Sequence, residues 1–262
     1  VASNRVFGYD AAREAAGLGA QRARQLLHAA EARTKSESYN LVTNGDIETE
    51  QYIRDILSAR FPSHLILGEE GRHDVDIHAP SLWIVDPIDG TNNYAHGVPH
   101  YCTSIAYAEE GELVAAAVFD PERRELFSAY AGGGAFLNGE VISVSPVTSF
   151  TEALVSTGFY YNRGEVMERT LDAIKGLFGL GVHGIRRTGS AALDLCWTAC
   201  GRFDAYFEYD LGLWDFAAGA LILKEAGGVV SESGGAPHGI TSTSIAASGS
   251  GIHNQLLEAL RK

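Results

Sequence analysis

The chain has 262 residues and carries 20 Lys+Arg against 33 Asp+Glu, a formal net charge of −13 with histidine neutral. Its 45% hydrophobic and 20% charged residues are ordinary globular usage, enough for a large core without staples, which excludes a disordered chain. The absence of a basic block argues against nucleic-acid binding, whereas a phosphate substrate stays open if metal ions supply positive charge. Cys102, Cys196 and Cys200 are too few for a disulfide framework and read as buried free thiols. The N-terminal residues show no apolar targeting core, and no apolar stretch approaches about 18 residues. A soluble cytoplasmic protein without a membrane partner is expected.

Residues 9–33, rich in Ala, Arg, Glu and Leu at helical spacing, predict a first helix, and Asp46–Arg60 predicts a second. Short β-rich runs follow at 64–67 and 82–85. From Tyr101 a strand meander is expected, with turns at Glu110-Gly111, Asp120-Pro121 and the hairpin pair Asn138-Gly139. The second half alternates: strands near 153–157, 182–187, 203–208 and 228–231 are interleaved with helices at 163–178, 189–200 and 214–226. A strand at 244–248 and a helix at 251–261 end the chain. The pattern predicts layers of helix and sheet in one α/β (α+β) unit. A break near 145–150 divides it into halves, 1–147 and 148–262, that share an interface.

The segment WIVDPIDGTNNYAHG (83–97) is the most informative. A buried strand delivers Asp86, Pro87 interrupts the ladder, and Gly90 permits a sharp turn that carries Asp89. Two carboxylates and the Ile88 carbonyl around one point make the hard-oxygen environment that Mg²⁺ prefers, although Asp-Pro-x-Asp-Gly is also an ordinary turn. Glu69 and Glu70 emerge where the run LILG stops, at the sheet edge where α/β proteins bind ligands. Asp215 opens an apolar helix and Asp46 opens another, each equally explicable as a cap. Their joint occurrence fits a metal cluster better than four unrelated caps and turns. Gly189-Ser190-Ala191-Ala192 starts a helix after Arg186 and Arg187, a place for an anion or simply for close packing. Glu208 faces either substrate hydroxyls or solvent. Serine-hydrolase, P-loop and zinc-protease signatures are missing.

Taken in order, Leu67-Gly68-Glu69-Glu70, Asp86-Pro87-Ile88-Asp89-Gly90-Thr91 and Trp214-Asp215 with Gly227-Gly228 resemble the inositol monophosphatase family, over nearly the whole chain from Lys35 onward. The resemblance implies a layered αβαβα sandwich and an Mg²⁺-dependent, often lithium-sensitive phosphomonoesterase that forms homodimers. It implies Glu69, Asp86 and the Ile88 carbonyl as ligands of a first metal and Asp86, Asp89 and Asp215 as ligands of a second, with two or three ions in all. Thr91 with Asp46 would position the attacking water, with Glu70 also assigned to the catalytic set. The Gly90-Thr91 backbone would hold phosphate, and Gly189, Ser190, Ala191 and Glu208 would meet the alcohol. Two departures stand out: Asn40 and Gly45 occupy the segment before Asp46, and the stretch Thr157-Gly158-Phe159-Tyr160-Tyr161 falls where members differ in substrate contacts.

The expected reaction is hydrolysis of myo-inositol 1-phosphate by direct attack of metal-activated water, without a phosphoenzyme. Fructose 1,6-bisphosphate, histidinol phosphate or a nucleotide 3′-phosphate are alternative substrates. A non-catalytic metal or inositol-phosphate binding protein is the alternative of another class.

Overall fold

Residues 2–34, 41–71, 73–159 and 163–261 of the computed structural model are described, the side chains of 2–6 and 28 aside. Lys35, Asn40, Tyr160 and Tyr161 lie outside them. In chain order the first half contains α1 (Ala2–Leu26), β1 (Ala32–Thr34), β2 (Leu41–Thr43), α2 (Asn44–Arg60), β3 (Leu65–Gly68), β4 (Leu82–Asp89), α3 (Thr91–Ala95) and β5 (Cys102–Glu109). The meander continues through β6 (Glu112–Asp120), β7 (Glu125–Tyr130), β8 (Gly134–Leu137) and β9 (Glu140–Val141). The second half contains β10 (Leu154–Thr157), α4 (Glu165–Gly179), β11 (Gly184–Arg186), α5 (Ala191–Ala199) and β12 (Ala205–Tyr209). It ends with α6 (Leu213–Glu225), β13 (Val229–Ser231), β14 (Ser244–Ser248) and α7 (His253–Leu260).

Five layers result. Helices α1 and α2 cover one face of a seven-stranded sheet ordered β3 to β9, and α5 and α6 cover the other. Behind α5 lies a five-stranded sheet ordered β11-β10-β12-β14-β13, whose outer face carries α4 and α7. This is the layered αβαβα arrangement.

Side-chain parity explains the stacking. In β4, Trp83 and Val85 join the core under α1 and α2, while Leu82 and Ile84 join the core under α5 and α6. Both faces are covered, so the strand reads as a continuous apolar run with no polar alternation. Helix α6 is buried from Phe216 through Leu223, as expected of a helix apolar all round and enclosed within the middle layer. Both middle-layer helices come from the second half but pack on the sheet of the first half.

The turns at Glu110-Gly111 and Asn138-Gly139 both carry two consecutive positive φ angles (50° and 85°, 51° and 88°), the signature of a type I′ hairpin. The first helix differs from expectation at both ends: it begins at Ala2 and stops at Leu26, followed by a 3₁₀ turn over Leu27–Ala29. The three cysteines are free, with Cys102 and Cys196 buried. Among the described residues, no helix is long and apolar enough to cross a membrane.

Candidate metal and phosphate site

Strand β4 does not stop at Asp86, as Pro87 suggested, but runs on to Asp89 through an irregularity in its pairing with β5. Asp86 pairs with Ser104 and Asp89 with Cys102, so three steps on one strand match two on its partner. A bulge of this kind is what puts both aspartates on one side, since residues three apart in a regular strand point to opposite faces. Pro87 suits the bulge because it has no N–H to lose. Its carbonyl accepts the Thr103 hydroxyl (2.7 Å), and the Ile88 N–H donates to Asp86 Oδ1 (3.1 Å).

Beyond the bulge, Gly90 takes φ +96° and caps α3, and a side chain there would press on the His100 and Gly189 carbonyls. The short helix α3 was not anticipated. It starts with Thr91, whose hydroxyl donates to Asp46 Oδ1 (2.9 Å) and lies 3.1 Å from the Ile88 carbonyl. Asp46 is a cap and a site residue at once. Its Oδ2 accepts the Thr43 N–H (2.7 Å) and hydroxyl (2.6 Å) at the start of α2, which leaves Oδ1 for Thr91. Asp215, in the first turn of α6, accepts the Gly212 N–H (2.6 Å) in the same way.

Asp86, Asp89 and Asp215 each offer an oxygen within 4.8 Å of the others. They line a cavity of about 390 Å³ together with Glu69, the Ile88–Thr91 turn, Arg187, Gly189–Ala191, Asp194 and Glu208. Glu70 is not part of that lining; its N–H donates to Glu50 Oε2 (2.7 Å). Asp89 Oδ2 accepts the Ser190 hydroxyl (2.5 Å) and the Ala192 N–H (2.8 Å), so the start of α5 fixes a carboxylate of β4. The Ser190 hydroxyl is thereby committed to Asp89, leaving the Gly189–Ala191 backbone beside the cavity.

Electrostatics set this place apart. Burial, then the neighbouring charges of Glu69, Asp89, Asp215 and Asp46, push the Asp86 carboxyl well above its usual range. Burial followed by Glu69 and Asp89 does the same to Asp215. Burial raises Asp89 less, because the Ser190 and Ala192 donors oppose it. Among the described lining residues, Arg187 is the one Lys or Arg. Anionic oxygens held this close fit a small hard cation, for which carboxylates and carbonyls are the natural ligands.

Also lining the cavity, Glu208 is 8% exposed and accepts the Tyr206 hydroxyl on Oε2 (2.5 Å). Burial pushes its carboxyl up to about 7 against the opposing effects of Tyr206 and Arg187. Gly158 lies so close that any side chain there would overlap the Glu208 carboxyl. Buried Asp194, bonded to the Thr188 hydroxyl, and exposed Arg187 belong to the same lining. The sequence marks Arg187 only as part of a strand end and gives Asp194 no motif of its own. Its position four residues after Ser190, one helical turn further along α5, was the available signal.

The chain is similar to known proteins. The model of the inositol monophosphatase family matches residues 3–262. An inositol-1-monophosphatase of Rhizobium meliloti is 39% identical over 222 residues, covering 84% of this chain and 83% of the relative. The Nus factor SuhB of Pseudomonas aeruginosa is 43% identical over 202 residues, covering 76% and 74%. The solved inositol monophosphatase of Anabaena superposes with a TM-score of 0.86 at 36% identity, covering 99% of this chain and 96% of that one. The chain belongs to the inositol monophosphatase family, and it is a phosphomonoesterase of that metal-dependent group.

Proposed function

We propose that the protein hydrolyses the phosphate monoester of a cyclic polyol, with myo-inositol 1-phosphate as the leading substrate and Mg²⁺ as the metal. The observation that carries this reading is the convergence of Asp86, Asp89 and Asp215 beside the Thr91–Asp46 pair in one cavity. In this reading Glu69, Asp86, Asp89, Asp215 and the Ile88 carbonyl hold two or three ions. When bound, the ions neutralise the carboxylates and stabilise charge on the attacking and leaving oxygens.

The chain's own residues then handle the water and its proton. The Thr91 hydroxyl has Asp46 Oδ1 and the Ile88 carbonyl as acceptors; with its proton on Asp46, the lone pairs of Oγ1 can accept a water O–H. A water held this way turns an oxygen lone pair towards phosphorus. As the new P–O bond forms and the ester P–O bond breaks, the water proton passes through Thr91 towards Asp46 and the alcohol departs as its alkoxide, protonated on release. The backbone at Gly90 and Thr91 faces phosphate, while Glu208 and Gly189–Ala191 face the alcohol. Residues 1–147 would thus supply most metal ligands and 148–262 most substrate contacts. A cytoplasmic homodimer sensitive to lithium completes the proposal. The net charge of −13 favours a small substrate over nucleic acid.

Phosphate release from a panel of monoesters tests this directly, with myo-inositol 1-phosphate expected to lead and to require Mg²⁺. Asp89→Asn should nearly abolish turnover in a folded protein, because an amide is a poorer ligand for a hard cation. Thr91→Ala should lower kcat by about 10²- to 10⁴-fold with metal affinity retained, as expected for loss of a proton-handling group. Wild-type turnover in either variant contradicts the assigned roles.

Substrate choice provides a second check. Glu208→Gln should reduce kcat/KM for inositol phosphate about ten- to a hundred-fold more than for an aryl phosphate, since a charged acceptor on a hydroxyl is worth about 1.5–3 kcal/mol. The difference should widen as pH rises through 7, where Glu208 ionises. Equal losses on both substrates would remove Glu208 from the alcohol pocket.

Stability against pH supplies a third. Asp86 and Asp215 ionise at higher pH folded than the usual 3.8, so between those values the folded state binds more protons than the unfolded chain. Their contribution is full on the acid side and is lost as pH rises through the raised values. Mg²⁺ should therefore raise the Tm more at pH 8 than at pH 5.5; an increment that shrinks with pH is the contrary result.

A further inference from the structure

Glu50 lies one helical turn after Asp46 on α2 and is 3% exposed. It is not part of the cavity lining. Its Oε2 accepts the Glu70 N–H (2.7 Å), and its Oε1 accepts Arg54 Nε (2.8 Å). Arg54 in turn donates to the Ile66 carbonyl of β3 (3.1 Å). The backbone folds round this carboxylate so closely that a Cβ at Gly68 would overlap it, and one at Gly71 would overlap both it and the Arg54 guanidinium. Glycine at those two positions is thus explained by Glu50, not by a turn angle: neither has a positive φ. Between them runs Glu69, whose own N–H donates to the Val85 carbonyl at 3.2 Å.

We propose that Glu50 is a positioning residue for the metal site, holding the 68–71 segment so that the Glu69 carboxylate is presented to the ions. This rests on the reading of Glu69 as a ligand. Helix α2 therefore serves the site from two consecutive turns: Asp46 holds Thr91, and Glu50 holds the Glu69 loop. The negative charge of Glu50 is countered by Arg54, four residues on, so the loop gains a strong charge-assisted anchor without a further unbalanced carboxylate near Asp86. Groups that orient a ligand in this way typically change metal affinity about 10- to 100-fold when removed.

The test measures Mn²⁺ binding by paramagnetic resonance on the whole chain, with no substrate present, beside the Tm of each variant in EDTA. Glu50→Ala should weaken Mn²⁺ binding at least about tenfold. Glu50→Gln, which keeps an acceptor for the Glu70 N–H, should recover most of that loss, and Arg54→Met should fall between them. Glu69→Gln is the reference for the site itself. Wild-type Mn²⁺ affinity in Glu50→Ala, with or without a lower Tm, makes Glu50 purely structural and overturns the proposal. If Glu50→Ala does not fold, wild-type affinity in both Glu50→Gln and Arg54→Met does the same. Should Glu69→Gln also bind normally, the reading of Glu69 as a ligand fails and the inference falls with it.

Discussion

Mutual repulsion among buried and half-buried carboxylates governs this structure. Asp86, Asp89 and Asp215 sit within a few ångströms of one another, Glu69 faces the same cavity, and Asp46 adds its field from one hydroxyl away. Burying one carboxylate is costly, and gathering several multiplies the cost. The fold must hold them together mechanically, because without a cation they would separate or take up protons.

It does so by giving Asp46, Asp86, Asp89 and Asp215 each a backbone N–H partner. Asp215 takes an N–H at the start of α6, Asp46 takes one at the start of α2, and Asp89 takes one at the start of α5. Two of these helix starts line the cavity and the third, that of α2, reaches it through Thr91, each contributing the positive end of its dipole. Five layers are what bring α2, on the outside of the large sheet, and α5 and α6, in the middle layer, to the same sheet edge. The bulge in β4 then turns two aspartates of one strand towards them.

Much of this was legible in the sequence because helix starts and strand ends have local signatures: the Thr43…Asp46 cap, the Asp-Pro-x-Asp-Gly turn, the Trp-Asp before an apolar helix. The pattern of elements predicted layers of helix and sheet, while their order came only from the family resemblance. What escaped were features created by contact across the fold. The bulge depends on β5, and without β5 the Pro87 rule predicts that the strand ends. Glu50 is one of several acids on a charged helix, and its meaning comes only from the loop after β3 folded over it. The bond from the Ser190 hydroxyl to Asp89 was likewise invisible, because nothing in the sequence shows that the two sit within reach of each other. Glu208 left two alternatives open, and only its burial beside Tyr206 favours the cavity.

If the carboxylates are held against their own repulsion for the sake of a cation, removing one charge must act in opposite directions with and without metal. Asp86→Asn measures this most directly, because the amide oxygen can still accept the Ile88 N–H while the buried charge disappears. Thermal unfolding in EDTA and in saturating Mg²⁺, at pH 8, gives the answer. The account predicts a higher Tm than wild type in EDTA and a much smaller rise on adding Mg²⁺. A variant less stable than wild type in EDTA that keeps the full Mg²⁺ increment would contradict it.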